Sequence, residues 1–187
     1  MARENRTRFA ILGMLMSGPK SGYDLKKDFE EQISHFWTES LGQIYPALKK
    51  LEKENLVTQK VVRQEARPDR KVYTVTPSGQ QLFRDWLEQP AAPIKWRNEL
   101  LLKVFFGTEM STDAVLNHIV QLESEQKGVR QLYQYCEDEI DRRPGSPERK
   151  LYWKLALASG RHINKARLAW CREAKAAIHD YIENQTE

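Results

Sequence analysis

From Ser21 to Pro90 the chain reads SGYDLKKDFEEQISHFW (21–37), TESLGQIYPALKKLEKENL (38–56), LVTQKVVRQ (56–64), EARPD (65–69), RKVYTVT (70–76) and TPSGQQLFRDWLEQP (76–90). The first two segments are amphipathic, and the second carries Lys49, Lys50 and Lys53 near its end. Two β-rich segments then flank a turn, and the last segment starts and ends like a helix. Helix, helix, two-stranded hairpin, helix is the order of a winged helix-turn-helix. In that fold the second helix enters the major groove and the hairpin touches the flanking backbone.

Local chemistry supports each element. Upstream, Phe9, Leu12, Leu15 and Met16 fall on one face of an opening helix that stops near Ser17-Gly18-Pro19. In the next helix Leu25, Phe29, Ile33 and Phe36 keep helical spacing, while Lys26, Lys27, Glu30 and Glu31 face outward. Thr38 or Ser40 can cap the third helix, whose buried stripe is Leu41, Ile44, Leu48 and Leu51. Pro46 fits there only near the first turn, where its missing N–H breaks little. Val57, Val61 and Val62 mark one strand, Val72, Tyr73 and Val75 the other, and Pro68-Asp69 turns between them. Thr76-Pro77 caps and starts a fourth helix that carries Leu82, Trp86 and Leu87 inward.

Beyond Gln89 the pattern changes. Pro90-Ala91-Ala92-Pro93 has no periodicity and reads as a linker over 90–97, between a winged helix-turn-helix at 1–89 and a helical domain at 98–187. WRNELLLKVFF (96–106) is a short apolar helix ended by Gly107, and Ser111 or Thr112 starts the next. In that long helix Val115, Ile119, Leu122, Gln126, Val129, Tyr133, Cys136 and Ile140 alternate by four and three. Such spacing makes a coiled-coil-like seam. Arg142-Arg143-Pro144-Gly145-Ser146-Pro147 breaks the chain. A last helix, Glu148 to Glu183, presents Tyr152, Leu155, Ala156, Ile163, Ala166, Trp170, Ala174, Ala177 and Tyr181. The expected class is therefore mainly α, with an N-terminal winged helix and a C-terminal antiparallel helical hairpin. That hairpin cannot cover both faces alone, so a partner copy is the expected cover, making it a dimerisation domain.

Composition narrows the function classes. The chain has 187 residues, 40% of them hydrophobic, and a net charge of +4. Residues 1–96 hold 16 Lys and Arg against 12 Asp and Glu, and residues 97–187 hold 14 of each. The basic excess thus falls on the half that is expected to meet phosphates. No apolar run reaches the roughly 20 residues of a membrane span, and the charged start MARENRTR is no secretory signal. Cys136 and Cys171 show no metal or redox spacing, so a reduced, cytoplasmic protein is expected, with a disulfide between their helices as the alternative. His35, His118, His162 and His179 are dispersed, and no Gly-rich phosphate loop or nucleophile elbow occurs. Glu123 with Glu125, and Glu137 to Asp141, read as outer-face acidic runs rather than catalytic pairs. The expectation is no enzyme, no metal and no cofactor.

The strings GYDLKK, FWTESLGQIYPALKKLEKENLV and RPDRKVYTVTPSGQQLFRDWL, continued by WRNELLLKVFFG, together resemble the PadR family of bacterial transcriptional regulators. The similarity is to the subgroup with a long C-terminal domain, and it extends over nearly the whole chain. It implies a homodimer with interlocked C-terminal helices presenting two winged helices to palindromic double-stranded DNA. The sign of regulation stays open between a repressor, the expected reading, and a ligand-independent activator.

Gln43, Tyr45 and Lys49 lie off the buried stripe of the third helix. Gln suits adenine edges, and Tyr and Lys, with Lys50, suit phosphate; the same residues also suit a solvated face. Ser40 is a cap, a phosphate contact, or both. Arg67, Arg70 and Lys71 stand at the wing tip, where basic side chains reach phosphates or a minor groove, and Asp69 can orient Arg70. Tyr73 is read as core. Arg3, Arg6 and Arg8 could form a basic arm. In the second half Trp96, Phe105, Phe106, Tyr133, Trp153 and Trp170 could line a pocket for a small aromatic acid, with Arg97 or Arg161 as its carboxylate partner. Packing in a helical dimer calls for the same residues. The competing class is a protein-docking adaptor that reads no DNA. Exposed apolar residues on the third helix would mark it.

Overall fold

The structure is a computed structural model and describes residues 6–34, 36–63, 70–94 and 97–184. It divides into two compact units, Met1–Pro93 and Ile94–Glu187.

In the first unit α1 (Thr7–Leu15) leads through Gly18 to β1 (Lys20–Ser21), α2 (Gly22–Asp28) and α3 (Leu41–Lys53). The hairpin β2 (Val57–Val62) and β3 (Arg70–Val75) follows, then α4 (Pro77–Glu88). Gly18 has φ +131°, a conformation side-chain-bearing residues rarely adopt, which lets the chain turn sharply off α1. Ser21 caps α2 in a reciprocal box with Asp24: its hydroxyl accepts the Asp24 N–H at 3.2 Å, and Asp24 Oδ2 accepts the Ser21 N–H at 2.8 Å. Past Asp28 the helix widens into a π turn over Phe29–Ile33. The sheet is antiparallel in the order β1-β3-β2, and the two-residue β1 was not legible in the sequence.

Phe9, Ile11, Leu12, Leu15, Leu25, Phe29, Ile44, Leu48, Leu51 and Val57 form the core, with Phe9 stacked on Trp86 at 4.6 Å. Tyr73 is buried among them, as expected, and its hydroxyl donates to Gln59 Oε1 at 3.1 Å. Three expected core residues are instead exposed: Met16, Phe36 and Leu87. Each stands at the end of its helical run, where the apolar stripe continues past the neighbouring elements. Pro46 is also displaced from expectation. It is the sixth residue of α3, so the ladder lacks the N–H that would reach the Gly42 carbonyl.

The junction between α3 and α4 is tightly built. Asn55, at φ +57°, ends α3, and the Leu56 N–H returns to the Leu51 carbonyl at 2.9 Å. The Thr76 hydroxyl donates to the Asn55 carbonyl at 2.8 Å and accepts the Gly79 N–H at 3.1 Å, capping α4. A Cβ at Gly79 would stand 2.1 Å from the Leu56 carbonyl oxygen, so no side chain fits there.

The second unit holds α5 (Glu99–Phe105), a short 3₁₀ turn (Gly107–Glu109), α6 (Thr112–Arg142) and α7 (Pro147–Glu183). Asn98, not Trp96, starts α5, and its side chain accepts the Leu101 N–H at 3.2 Å. Ser111 caps α6 as expected, and Ser146 caps α7 with Pro147 as its first residue. The α6 seam is real: Ile119, Gln126 and Tyr133, seven residues apart, are its buried residues. What covers it differs from expectation. The seam faces α7 of the same chain, through Leu157, Asn164 and Cys171. Asn164 Nδ2 donates to the Gln126 carbonyl at 2.9 Å, and Tyr133 lies against Gly160. Glu123–Lys175 (2.9 Å), Glu137–Arg161 (2.6 Å) and Asp141–Lys154 (2.7 Å) tie the helices together, so these acids are not an outer-face run. Lys175 and then Lys127 hold the Glu123 carboxyl below its ordinary value.

The expected α7 stripe is therefore the wrong one for the hairpin. Tyr152, Leu155, Ile163 and Tyr181 are exposed, 43–60%, beside the buried Leu157-Asn164-Cys171 row. The sequence ranks the more hydrophobic row as the inner one, but close approach at Gly160 and polar pairing at Asn164 decide the packing. Both cysteines are free thiols.

Candidate nucleic-acid interface

Burial of Ile44, Ala47, Leu48 and Leu51 leaves Gln43, Tyr45, Lys49, Lys50 and Lys53 on the outer face of α3. That face is polar and cationic. Tyr45, the one large apolar side chain on it, is 47% exposed, and its ring lies on Gly22 at the start of α2. A Cβ at Gly22 would come within 2.6 Å of that ring, so the bare backbone there lets α2 and α3 approach.

Ser40 and Gln43 meet each other. The Ser40 N–H and hydroxyl donate to Gln43 Oε1 at 3.0 and 2.9 Å, which fixes the first turn of α3. Gln43 thus presents its amide N–H₂ outward while its oxygen serves the cap. A bidentate adenine contact uses both atoms and requires that cap to open.

On the wing, register sorts the basic residues by face. Val57 pairs with Val75, Gln59 with Tyr73 and Val61 with Lys71 on the core side; Thr58 with Thr74, Lys60 with Val72 and Val62 with Arg70 on the other. Arg70 and Lys71 therefore project from opposite faces. Arg67, with the Pro68-Asp69 turn, lies outside the described residues, as do Arg3 and His35. Arg70 is oriented by Asp24: its Nη2 donates to Asp24 Oδ2. Burial opposes charge on Asp24, yet the Ser21 N–H and hydroxyl and the Arg70 guanidinium outweigh it and lower its pKa.

Ion pairing separates the remaining cations. Arg8 Nη2 binds Glu54 Oε2 at 2.6 Å, joining α1 to the end of α3, so Arg8 is no part of a loose arm. Lys50 stands 3.9 Å from the other Glu54 oxygen. Among the described residues Lys49, Lys53, Lys60, Arg63 and Lys71 have no carboxylate within ion-pair distance. Lys60 and Arg63 were missed from the sequence. Strand alternation from Val57 would have found Lys60 on the outer face.

In the second unit Phe105 and Phe106 are exposed and meet edge-on at 5.0 Å; Arg97 is exposed, and Trp153 and Trp170 are half-buried. Trp96 lies outside the described residues. Tyr133 and Arg161 are committed to the hairpin, the first against Gly160 and the second to Glu137. An open cleft between α5 and α6 is lined by Glu99, Lys103, His118, Gln121 and Glu125 around Leu100 and Leu122. None of the described aromatic residues lines it, and its carboxylates would repel an acid. No helix among the described residues is long and apolar enough to cross a membrane.

Two family models match the chain. One, described as the transcriptional regulator PadR-like family, covers residues 11–85, and one described as virulence activator alpha C-term covers 96–179. The negative transcriptional regulator PadR of Bacillus subtilis (strain 168) is 42% identical over 101 residues, 53% of this chain and 55% of that protein. The chain spans about half the length of the curated relatives it matches. Against solved structures the likeness runs further. Bacillus subtilis PadR in complex with operator DNA has a TM-score of 0.79 at 30% identity, over 91% of this chain and 98% of that one. The same protein in complex with p-coumaric acid gives 0.73 at 28% identity, over 96% and 99%. The Vibrio cholerae virulence activator AphA gives 0.74 at 25% identity, over 94% and 99%.

Proposed function

Because the chain belongs to the PadR-like family of transcriptional regulators, we propose that it is a homodimeric, sequence-specific DNA-binding repressor acting on an inverted-repeat operator in the cytoplasm. The observation that carries this reading is the outer face of α3, where Gln43, Lys49 and Lys53 stand clear of a core-packed helix. Gln43 reads a base edge; Ser40, Tyr45, Lys49 and Lys50 contact phosphate; and Arg67, Lys71, Lys60 and Arg63 bring the wing to the flanking backbone. Phosphate contacts set register and the base contact sets preference. A docking adaptor is disfavoured because the exposed face of α3 is cationic rather than apolar.

Two second-unit features support the homodimer: the uncovered α7 row Tyr152, Leu155, Ile163 and Tyr181, and the exposed α5 residues Leu101, Leu102, Phe105 and Phe106. Repression is favoured over activation by the 30% identity to PadR, a negative regulator, over 91% of the chain, against 25% to an activator over 94%. A small aromatic acid is the proposed effector, since the PadR relative was solved in complex with p-coumaric acid. Trp96, Arg97, Trp153 and Trp170, with Phe105 and Phe106, are the residues proposed to meet it.

A gel shift on the promoter of the adjoining gene tests DNA binding directly, and release by p-coumaric acid tests the effector. Gln43→Ala is expected to cost about 1–3 kcal/mol at the cognate site and to relax preference at one base pair. Competition binding with cognate and random duplexes reads this out. Equal losses on both would assign Gln43 to the cap alone.

A further inference from the structure

Asp24 and Arg70 are 46 residues apart and meet where the wing joins the helix pair. One carboxylate oxygen, Asp24 Oδ2, accepts three donors: the Ser21 N–H and the Ser21 hydroxyl, each at 2.8 Å, and Arg70 Nη2. The acid is held from two sides. It belongs to the first turn of α2, and the Ser21 it binds is in register with Val72 of β3. Among the described residues the guanidinium has no comparable second anchor, and its side chain is 43% exposed. Lys60, Arg63 and Lys71, on the same hairpin, have no carboxylate within ion-pair distance among the described residues. Among the described wing cations, Arg70 is thus the one that is neutralised internally.

A carboxylate and a phosphate offer a guanidinium the same thing, paired oxygens on a negative centre. We propose that Asp24 competes with DNA phosphate for Arg70, an autoinhibitory contact that limits the sequence-independent affinity of the wing; this rests on the reading of the first unit as a DNA-binding module. Passing Arg70 to a phosphate exchanges one ion pair for another and leaves the Asp24 charge uncompensated beside a polyanion. The net gain is small. Lys71 has no pair among the described residues to break and yields its phosphate contact in full. The contact matters because any genome offers a great excess of non-specific sites.

The test is fluorescence anisotropy on a mixed-sequence duplex across a salt series, using the full chain and its variants Asp24→Asn, Arg70→Ala, Lys71→Ala and Asp24→Asn/Arg70→Ala. Asparagine keeps an oxygen for the Ser21 bonds, and circular dichroism checks folding. Asp24→Asn is expected to bind about two- to fivefold tighter, the scale of one exposed ion pair. In the Arg70→Ala background the same change should tighten binding by clearly less, because it relieves only the repulsion of the unpaired carboxylate and frees no guanidinium. Arg70→Ala should flatten the salt slope by clearly less than the roughly 0.9 units that Lys71→Ala removes. Unchanged or weaker binding by folded Asp24→Asn overturns the proposal, as does tightening that is equally large without Arg70. If Asp24→Asn does not fold, equal slope losses for Arg70→Ala and Lys71→Ala overturn it instead. Failure of the unaltered protein to bind any duplex at low salt sinks the DNA-binding reading and this inference with it, an outcome distinct from a binder that ignores Asp24.

Discussion

Gly79→Ala is expected to destabilise the first unit by about 3 kcal/mol or more, the upper range for overpacking a filled site. The added methyl would meet the Leu56 carbonyl oxygen at 2.1 Å, and that oxygen cannot swing away as a side chain would. It accepts the Thr76 N–H at 3.0 Å, so relief requires opening the junction that orients α4. Trp86, stacked on Phe9 in the core, sits on that helix and would move with it. Thermal unfolding should show a transition lowered by roughly 10–20 °C. Gly128→Ala is the control. A Cβ there meets nothing within 4 Å, in the middle of α6, so helix propensity predicts a gain of roughly 0.5–1 kcal/mol. Melting of Gly79→Ala with the unaltered protein would contradict the packing described.

Leu155→Glu combined with Ile163→Glu is expected to leave a folded monomer. The two side chains are 57% and 43% exposed on α7, beside but not within the row that packs on α6. They can be changed without touching Leu157, Asn164 or Cys171. In a two-fold interface each residue counts twice, and a buried aliphatic side chain contributes about 1.5–3 kcal/mol per copy. Losing one such side chain from both copies, about 3–6 kcal/mol, raises the dissociation constant by roughly a hundredfold or more. Sedimentation at micromolar concentration should show the unaltered protein at twice 21.9 kDa and the variant at 21.9 kDa with its helical signal retained. An unaltered protein that sediments as the monomer removes the dimer, and a variant that stays dimeric moves the interface elsewhere.

Local patterns carried most of the fold. The 31 residues of α6 follow from one unbroken seam between a serine cap and a Pro-Gly break, and the wing strands from their β-branched residues. What failed depended on contacts distant in sequence. β1 exists only because Lys20 and Ser21 pair with Tyr73 and Val72. Asp24–Arg70 and Arg8–Glu54 each span 46 residues, so two arginines read as exposed charges turned out to be structural pairs. On α7 the inner face is set by a glycine, an asparagine and a cysteine, which hydrophobicity alone ranks below Leu155 and Ile163. For the site, the stripe on α3 named its outward residues correctly, because a helix with one buried face leaves little freedom for the other. It could not reveal that Gln43 turns back onto Ser40, since a capping box and a base-reading side chain look alike in sequence.

The proposed two-fold dimer places one α3 in each of two half-sites, and footprinting of the operator reads their arrangement and spacing. An inverted repeat protected with its half-sites one helical turn apart, about 34–36 Å, or a multiple of that, is the result expected. A single protected half-site or a direct repeat would contradict it.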